Sequence, residues 1–511
     1  MAGPDIATNP TSIAPPAGTP YLTKSSYVRA TKCDRLLWLS WHLRQPYQDP
    51  LPGSPAAVGI EIGEYAQRLF PDGVLVDEAP WAHAEAVERT RTLMEDPSVP
   101  AIFEAAFEAD GIRIRADVVE YLGDNRWGLR EVKSSTRVKA DHVVDAAVQA
   151  HVMTLSGVEP ASIELIHVNR DYVFRGGDID WPQFFARADI AEQVAAERIG
   201  MADAVNTFHT VLNSATEPSI PPGPHCPKPC DYWEHCTAEM PADWIMNLPR
   251  LSEKRFADLT ARGIERIADI PADIDLTEHQ DRMRDVIVTG RPYVSPGLRE
   301  ALTTLDGPAS YLDFEAMNPA IPIYPGTRPY ERLPFQWSLH RNDGADGLTH
   351  EDYLAPPDTA QDPRPGFTTS LIDALSRDTA PIVVYSPYER TVLQEMARQF
   401  PEHAPALEAI IARLVDLYVI VRSHVYLAGF SGSFSIKTVG RALAPHFSYD
   451  GLNDVANGEQ AASTFQRLVL TDLPASESAH LRDALLAYCR LDTLALVETH
   501  QALKRLAGAT T

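Results

Sequence analysis

Three of the five cysteines in this chain, Cys226, Cys230 and Cys236, fall within eleven residues broken by Pro227 and Pro229. A fourth, Cys33, stands far upstream. Five cysteines in 511 residues do not make a disulfide framework. In a reducing compartment, short spacings of this kind more often bind a metal or an iron–sulfur cluster. If the four thiolates share one centre, residue 33 is clasped to residue 236. Everything between them then closes into one unit, and the chain beyond 236 must build another. Zinc and iron–sulfur both accept four cysteines, so the spacing leaves the two open.

The length suits two or three domains of roughly 100–200 residues each. A hydrophobic fraction of 44% with 23% charged residues is ordinary for a globular protein. No run of about 18 apolar residues occurs, so no membrane span is expected. The N-terminus lacks the basic and apolar regions of a signal peptide, and the expected location is cytoplasmic. A net charge of -25 excludes a nonspecific basic coat for nucleic acid. It is compatible with a local basic groove, because carboxylates that hold metal ions add to the acidic count.

Residues 1–20, rich in Pro, Ala and Thr, read as a flexible tail. Helical spacing follows over Tyr21–Trp41, Gly59–Phe70 and Ala82–Met94. Residues 112–119 alternate as a strand does, Gly123-Asp124-Asn125 supplies a turn, and residues 127–133 return. A helix over Asp141–Leu155, a strand over Ile163–Val168 and one long helix over 182–212 complete the first unit, 21–240. Residues 241–300 read as a helical linker, with two short helices around Gly263. In the second unit, 301–511, strands are expected at 310–315 and 382–385, and helices at 371–375, 391–400 and 482–506. Alternating strands and helices predict an α/β fold.

Two constellations carry chemistry. In the first, Asp117 and Glu131 lie fourteen residues apart on the two arms of the hairpin, and Lys133 shares a face with Glu131. Paired carboxylates suit Mg²⁺ or Mn²⁺, and a neighbouring lysine can position a water for attack on a phosphodiester. In the second, Asp313 and Glu315 share a strand face. Tyr488 and Asp492 share a helix face, and Glu389 lies between the pairs, with Asp416 as a competing acid. Cys489, turned away from Tyr488, reads as core filler.

The first constellation, wrapped by Cys33, Cys226, Cys230 and Cys236, resembles the RecB-like branch of the PD-(D/E)XK nucleases. It is closest to iron–sulfur members such as the exonuclease of CRISPR adaptation and the AddB-type helicase-nucleases. The resemblance implies a [4Fe–4S] cluster on the four cysteines, with zinc as the alternative, and a restriction-endonuclease-like domain with Asp117, Glu131 and Lys133 catalytic. Two positions depart from the family: Gln67 stands where it often has a histidine ligand, with Glu64 as a substitute, and Met153 replaces the tyrosine that follows Gln149. The second constellation resembles the DnaQ-like, RNase H-fold 3′–5′ exonucleases of the DEDDy type. That implies Asp313, Glu315, Glu389 and Asp492 as ligands of two divalent ions, Tyr488 orienting the attacking water, and Lys437 touching the substrate backbone. The whole arrangement resembles a bacterial family of predicted RecB-like nucleases. Residues 248–271 also look like a helix-hairpin-helix, which grips phosphates through helix N-termini.

The expectation is a metal-dependent exonuclease on single-stranded DNA ends, in repair or defence. The alternative is a non-catalytic nucleic-acid-binding or assembly subunit. Arg113, Arg115, Arg130, Lys133 and Lys139 would line a basic groove, and Trp38, Trp41, Tyr232 and Trp233 would offer stacking surfaces.

Overall fold

The computed structural model describes residues 19–44, 50, 53–344, 347–449, 452 and 454–509. The expected tail therefore lies outside the described residues except for its last two positions. The chain divides into two compact units, Met1–Glu239 with Ala320–Pro329, and Met240–Pro319 with Tyr330–Thr511. Both are mixed α/β, and no helix among the described residues is long and apolar enough to cross a membrane.

The first unit is built on a seven-stranded mixed sheet. Its strands are β1 (Leu22–Thr23), β2 (Val74–Leu75), β3 (Ala101–Ala109), β4 (Ile112–Tyr121), β5 (Trp127–Lys133), β6 (Ser162–Val168) and β7 (Phe185–Asp189). They run in the order β2-β3-β4-β5-β6-β7, with β1 beside β4. The hairpin forms as its alternation predicts, with Val118 opposite Arg130 and Tyr121 opposite Trp127. Strand β1 pairs with β4 only at Ile112 and Arg113. Between these pairings β4 and β5 fork, and Asp117 stands at the fork. There the amide of Val132 donates to Asp117 Oδ2 (2.7 Å) instead of to the strand backbone. Helix Ala140–Leu155 packs on the sheet through Ala146, Ala150 and Met153. Each large apolar side chain buried in such a core contributes about 1.5–3 kcal/mol.

Three elements differ from their expected form. The stretch from Tyr21 is not one helix: Lys24–Ala30 and Asp34–His42 are separated at Thr31–Cys33, and Cys33 caps the second through Leu36 N (3.4 Å). Residues 182–212 are not one helix either. Trp181–Phe184, the strand β7, Ala191–Glu197 and Met201–Leu212 replace it, and Gly200 breaks the last pair in the left-handed region (φ 78°). The helix-hairpin-helix lacks its second helix: Glu253–Ala261 is followed past Gly263 only by a single 3₁₀ turn, Ile267–Asp269.

The second unit carries β8 (Tyr293–Val294), β9 (Ala309–Met317), β10 (Leu333–Asn342), β11 (Leu348–Leu354), β12 (Ile382–Val384), β13 (Leu414–Asp416) and β14 (Val425–Tyr426). Strands β8 and β14 form a small separate sheet. The main sheet has the order β11-β10-β9-β12-β13. Strands β9, β10 and β11 are antiparallel neighbours, whereas β12 and β13 run parallel to β9. Leu312 and Phe314 of β9 pack with Phe367, Leu371 and Val392 from helices Pro363–Leu375 and Tyr388–Gln399. Helix Ala475–Ala509 also packs on β9, where Tyr311 Oη meets His500 Nδ1 at 2.7 Å.

Candidate functional site

The fork in the first unit brings Asp117, Glu131 and Lys133 together. Lys133 Nζ donates to Glu131 Oε1 (2.6 Å) and Asp145 Oδ2 (2.5 Å). Gln149 Nε2 donates to Glu131 Oε2 (2.5 Å). A second ammonium, Lys24 Nζ, bridges Asp117 Oδ1 (3.2 Å) and Glu131 Oε1 (3.4 Å). Burial alone would raise Glu131, but Lys24 and Lys133 hold it well below the usual carboxylate range. Burial and the neighbouring Glu131 push Asp145 up to about 7, against the pull of both lysines. Burial also raises Glu104, with the charge of Asp117 behind it. Glu104 reaches the cluster because the β3–β4 register, Phe103 opposite Val118 and Ala105 opposite Ala116, sets it across from Asp117, at φ 53°.

Lys24, Glu104 and Asp145 were not singled out in the sequence. Lys24 opens a helix, and nothing in its spacing connects it with a hairpin ninety-three residues on. Among the described residues, neither Glu64 nor Gln67 has a hydrogen bond or ion pair to this cluster. Glu64 is exposed, and Gln67 opens a 3₁₀ turn. Met153 is buried in the core.

The expected basic groove is not formed as such. Arg130 is buried and pairs with Glu120 (2.7 Å) and Glu164 (3.4 Å). Arg115 donates to the carbonyls of Val76, Glu78 and Glu104. Arg113 pairs with Glu108 and lies over the Tyr21 ring. Lys139 is exposed just before helix Ala140–Leu155. The expected stacking surfaces are also structural. Trp38 donates to Ser214 O, Trp41 packs edge-on against Tyr21, and Tyr232 donates to Leu43 O.

Cys33, Cys226, Cys230 and Cys236 line one cavity of about 20 Å³, together with Leu36, Leu39, Tyr232 and Trp233. Backbone amides donate to two of the sulfurs, Leu36 N to Cys33 and Gly223 N to Cys226, each at 3.4 Å. Burial pushes the thiols of Cys226 and Cys236 up, and the neighbouring sulfurs add to it. The four thiols face the same cavity, but among the described residues they do not close into a metal-ligand group. No three of these sulfurs lie within 4.8 Å of one another.

In the second unit, Asp313 and Glu315 on β9, Glu389 in the first turn of helix Tyr388–Gln399 and Asp492 on helix Ala475–Ala509 form one acidic cluster, half-buried at Asp313 and buried at the other three; Glu389 and Asp492 lie outside the group of ligand atoms that closes within 4.8 Å. Burial raises Asp313 well above the ordinary range, and Asp492, Glu315 and Glu389 raise it further. Burial likewise pushes Glu315 and Glu389 up to about 8. The Glu389 Oε2 atom is buried without a hydrogen-bond partner. Asp492 Oδ1 accepts from Tyr449 Oη at 2.8 Å and also interacts with Tyr488, whose own hydroxyl burial keeps protonated. Lys437 Nζ donates to Ala456 O (2.5 Å), lies 3.5 Å from Tyr488 Oη, and sits over the Tyr449 and Tyr488 rings.

Cys489 belongs to this site rather than to the core alone. It is fully buried, but its Sγ lies 3.4 Å from Asp313 Oδ2. Asp313, Glu315 and Cys489 are the group of potential metal ligands that closes within 4.8 Å among the described residues. Asp416 faces its own backbone. Its Oδ1 accepts from Tyr418 N (2.9 Å), capping helix Leu417–His424, and from Ser386 N (3.1 Å). Of the two competing acids, Glu389 is the one whose charge acts on Asp313.

The donor set of the second unit, carboxyl oxygens with Lys437 as a cationic neighbour of Glu315 and Asp492, could hold a divalent ion. A family described as a domain of unknown function, DUF2779, matches residues 310–435. The matched stretch contains Asp313, Glu315 and Glu389 and ends before Lys437, Tyr488 and Asp492. No curated protein matches the chain.

Proposed function

We propose that the protein is a metal-dependent nuclease acting on single-stranded DNA ends, with its main catalytic centre in the second unit. The observation that carries this reading is the set of four neighbouring carboxyl groups, three buried and Asp313 half-buried, faced by the Lys437 ammonium, with Glu389 Oε2 unpartnered. The order of the acids along the chain and the strand order β11-β10-β9-β12-β13 support an RNase H-like, DnaQ-type domain. Two Mg²⁺ or Mn²⁺ ions on Asp313, Glu315, Glu389 and Asp492 would supply an activated water and neutralise charge on the phosphate. Tyr488, protonated, donates its hydroxyl hydrogen to orient the nucleophile, and Lys437 places positive charge beside the backbone of the substrate.

The test is cleavage of end-labelled single-stranded DNA by the full chain with Mn²⁺. Supporting groups around metals are each worth 10–100-fold, so Asp313→Asn and Glu389→Gln are expected to cost at least ~100-fold. Unchanged cleavage by both variants would overturn the assignment.

For the first unit, the hairpin with its clasp supports a PD-(D/E)XK-like domain with a structural [4Fe–4S] cluster on the four cysteines. A tetrahedral zinc ion on the same four thiolates is the alternative. Protein purified without air is expected to be brown, absorbing near ~400 nm. A colourless, zinc-loaded preparation would keep the four ligands and sink the cluster. A second reading of this unit is favoured by Lys24, whose ammonium already bridges Asp117 and Glu131: the unit binds nucleic acid without cutting it. Glu131→Gln decides, since it lowers cleavage only if this centre is active.

A further inference from the structure

Beside the acidic cluster of the second unit lies a cleft of about 670 Å³, lined by residues from five segments of the chain. Its volume falls within the ~300–1,000 Å³ of small-molecule sites. Tyr385 and Ser386 come from the turn that leads into Glu389, at the C-terminal end of β12. Tyr418 and Arg422 come from helix Leu417–His424, after β13. Phe434, Ser435 and Ile436 lead into the helix that carries Lys437, and Pro249, Arg250 and His279 come from the preceding helical region. The C-terminal ends of parallel strands are where open α/β sheets bind ligands.

The wall chemistry is unlike the rest of the molecule. In a chain with 70 acidic and 45 basic residues, the cleft is lined by two arginines and no carboxylate. Neither guanidinium has an ion pair among the described residues, and Arg422 and Arg250 add positive charge around His279, as does Arg282, which is paired with the opposing Glu278. The rings of Tyr385, Tyr418 and Phe434 pack edge to face, with centroids 5.8 Å and 6.4 Å apart, and His279 meets Phe434 in the same manner. The wall is also fixed in place. Tyr385 Oη donates to Phe434 O (2.9 Å). Gly432, at φ 80°, passes so close to Asn247 O that a Cβ would stand 2.2 Å from it, so only glycine lets the two walls approach.

We infer that this cleft binds one nucleotide unit of a single-stranded DNA substrate, its base against the Tyr418 and Phe434 rings and its phosphate on Arg250 and Arg422. This rests on the nuclease reading of the neighbouring carboxylates. The cleft holds the strand away from the scissile bond, because its walls share loops with Glu389 and Lys437 but include neither. Stacking on one aromatic ring is worth ~1–3 kcal/mol, which is roughly five- to 150-fold in affinity.

The experiment measures binding of a short fluorescein-labelled oligothymidylate to the full chain in EDTA by anisotropy. In parallel it follows hydrolysis of the p-nitrophenyl ester of thymidine 5′-monophosphate with Mn²⁺. Phe434→Ala and the double variant Arg250→Gln/Arg422→Gln are each expected to weaken oligonucleotide binding about tenfold and to leave ester hydrolysis unchanged, since the ester is too small to span both sites. The arginine pair covers the case in which Phe434→Ala disturbs folding. Unchanged binding in the arginine variant overturns the inference. So does displacement of the probe by free thymidine 5′-monophosphate equally in wild type and both variants. If wild type hydrolyses neither DNA nor ester while the variants still lose binding, the cleft stands and the nuclease reading falls.

Discussion

Lys24 occupies the place between Asp117 and Glu131 that a cation would take, and its ammonium stays charged there. Burial alone would lower it, but Asp117, Glu131 and Asp145 raise it well above its ordinary value. Replacing it with an apolar side chain of similar length leaves two carboxylates facing each other. Breaking a buried pair costs about 3–5 kcal/mol. Lys24 and Asp117 keep about a fifth of their side-chain exposure (23% and 21%), so we expect Lys24→Met to lose less, about 2 kcal/mol. Mn²⁺ should then raise the melting temperature of the variant more than that of wild type, because no ammonium competes for the oxygens. A variant that melts identically with and without Mn²⁺ would show that these acids do not form a metal site. Asp117, Glu131 and Lys133 were legible because strand alternation and turn chemistry bring them together locally. Lys24 and Glu104 were not, since one arrives by tertiary packing and the other through the pairing of β3 with β4. Cys489 misled for a different reason: a buried thiol looks apolar in a sequence whether it faces leucine or a carboxylate.

Among the elements, the turn between β12 and helix Tyr388–Gln399 sets the geometry of the second site. Ser386 sits at φ 139°, a region that L-residues seldom adopt, and its amide is held by Asp416. Asp416 thus fixes the entry angle of the helix that carries Glu389. Removing a helix N-cap costs about 0.5–2 kcal/mol. Asp416→Ala is expected to lose that much stability while keeping metal-dependent cleavage within ~tenfold of wild type, a small loss for misplacing a ligand. Glu389→Gln should do the reverse, with near-normal stability and little cleavage. Equal loss in both variants would make Asp416 a ligand after all. Strand β4 alternates buried and half-buried residues over most of its length and was readable from the sequence. Strand β10 was not, because it is buried along most of its length and carries no alternation to read. The run 182–212 misread because its alanines and glutamates favour helix everywhere, and tertiary pairing of Phe185–Asp189 with β6 overrode that local preference.

For the whole molecule, the acidic clusters make stability depend on pH and on metal together. Glu315 and Glu389 titrate near 8 in the folded chain, against an ordinary value of 4.5. Between those values the folded state holds protons that the unfolded state has released. Metal-free protein should therefore lose stability as pH rises from about 5 to 8, by up to ~1.4 kcal/mol per pH unit for each group. Asp145, at about 7, adds to the same slope. Saturating Mn²⁺ should flatten it, because the ions replace the protons. Melting temperatures across this range in EDTA and in Mn²⁺ check the expectation, and a flat profile in EDTA would contradict it. The composition forecast an acidic molecule, but not where its acids gather. That depends on which strands become neighbours, and β9, β12 and β13 are distant in the sequence.

Ala320–Pro329 lies in the sequence between β9 and β10 but belongs to the first unit, where Phe174 exchanges backbone hydrogen bonds with Gly326 and Thr327. The polypeptide therefore passes from one unit to the other three times. A single proteolytic nick near residue 240 would not release two finished halves, and a fragment ending there would lack ten residues of its own fold. Ribosomal synthesis meets the same constraint: the first unit gains its last piece only after β9, with Asp313 and Glu315 on it, has already emerged.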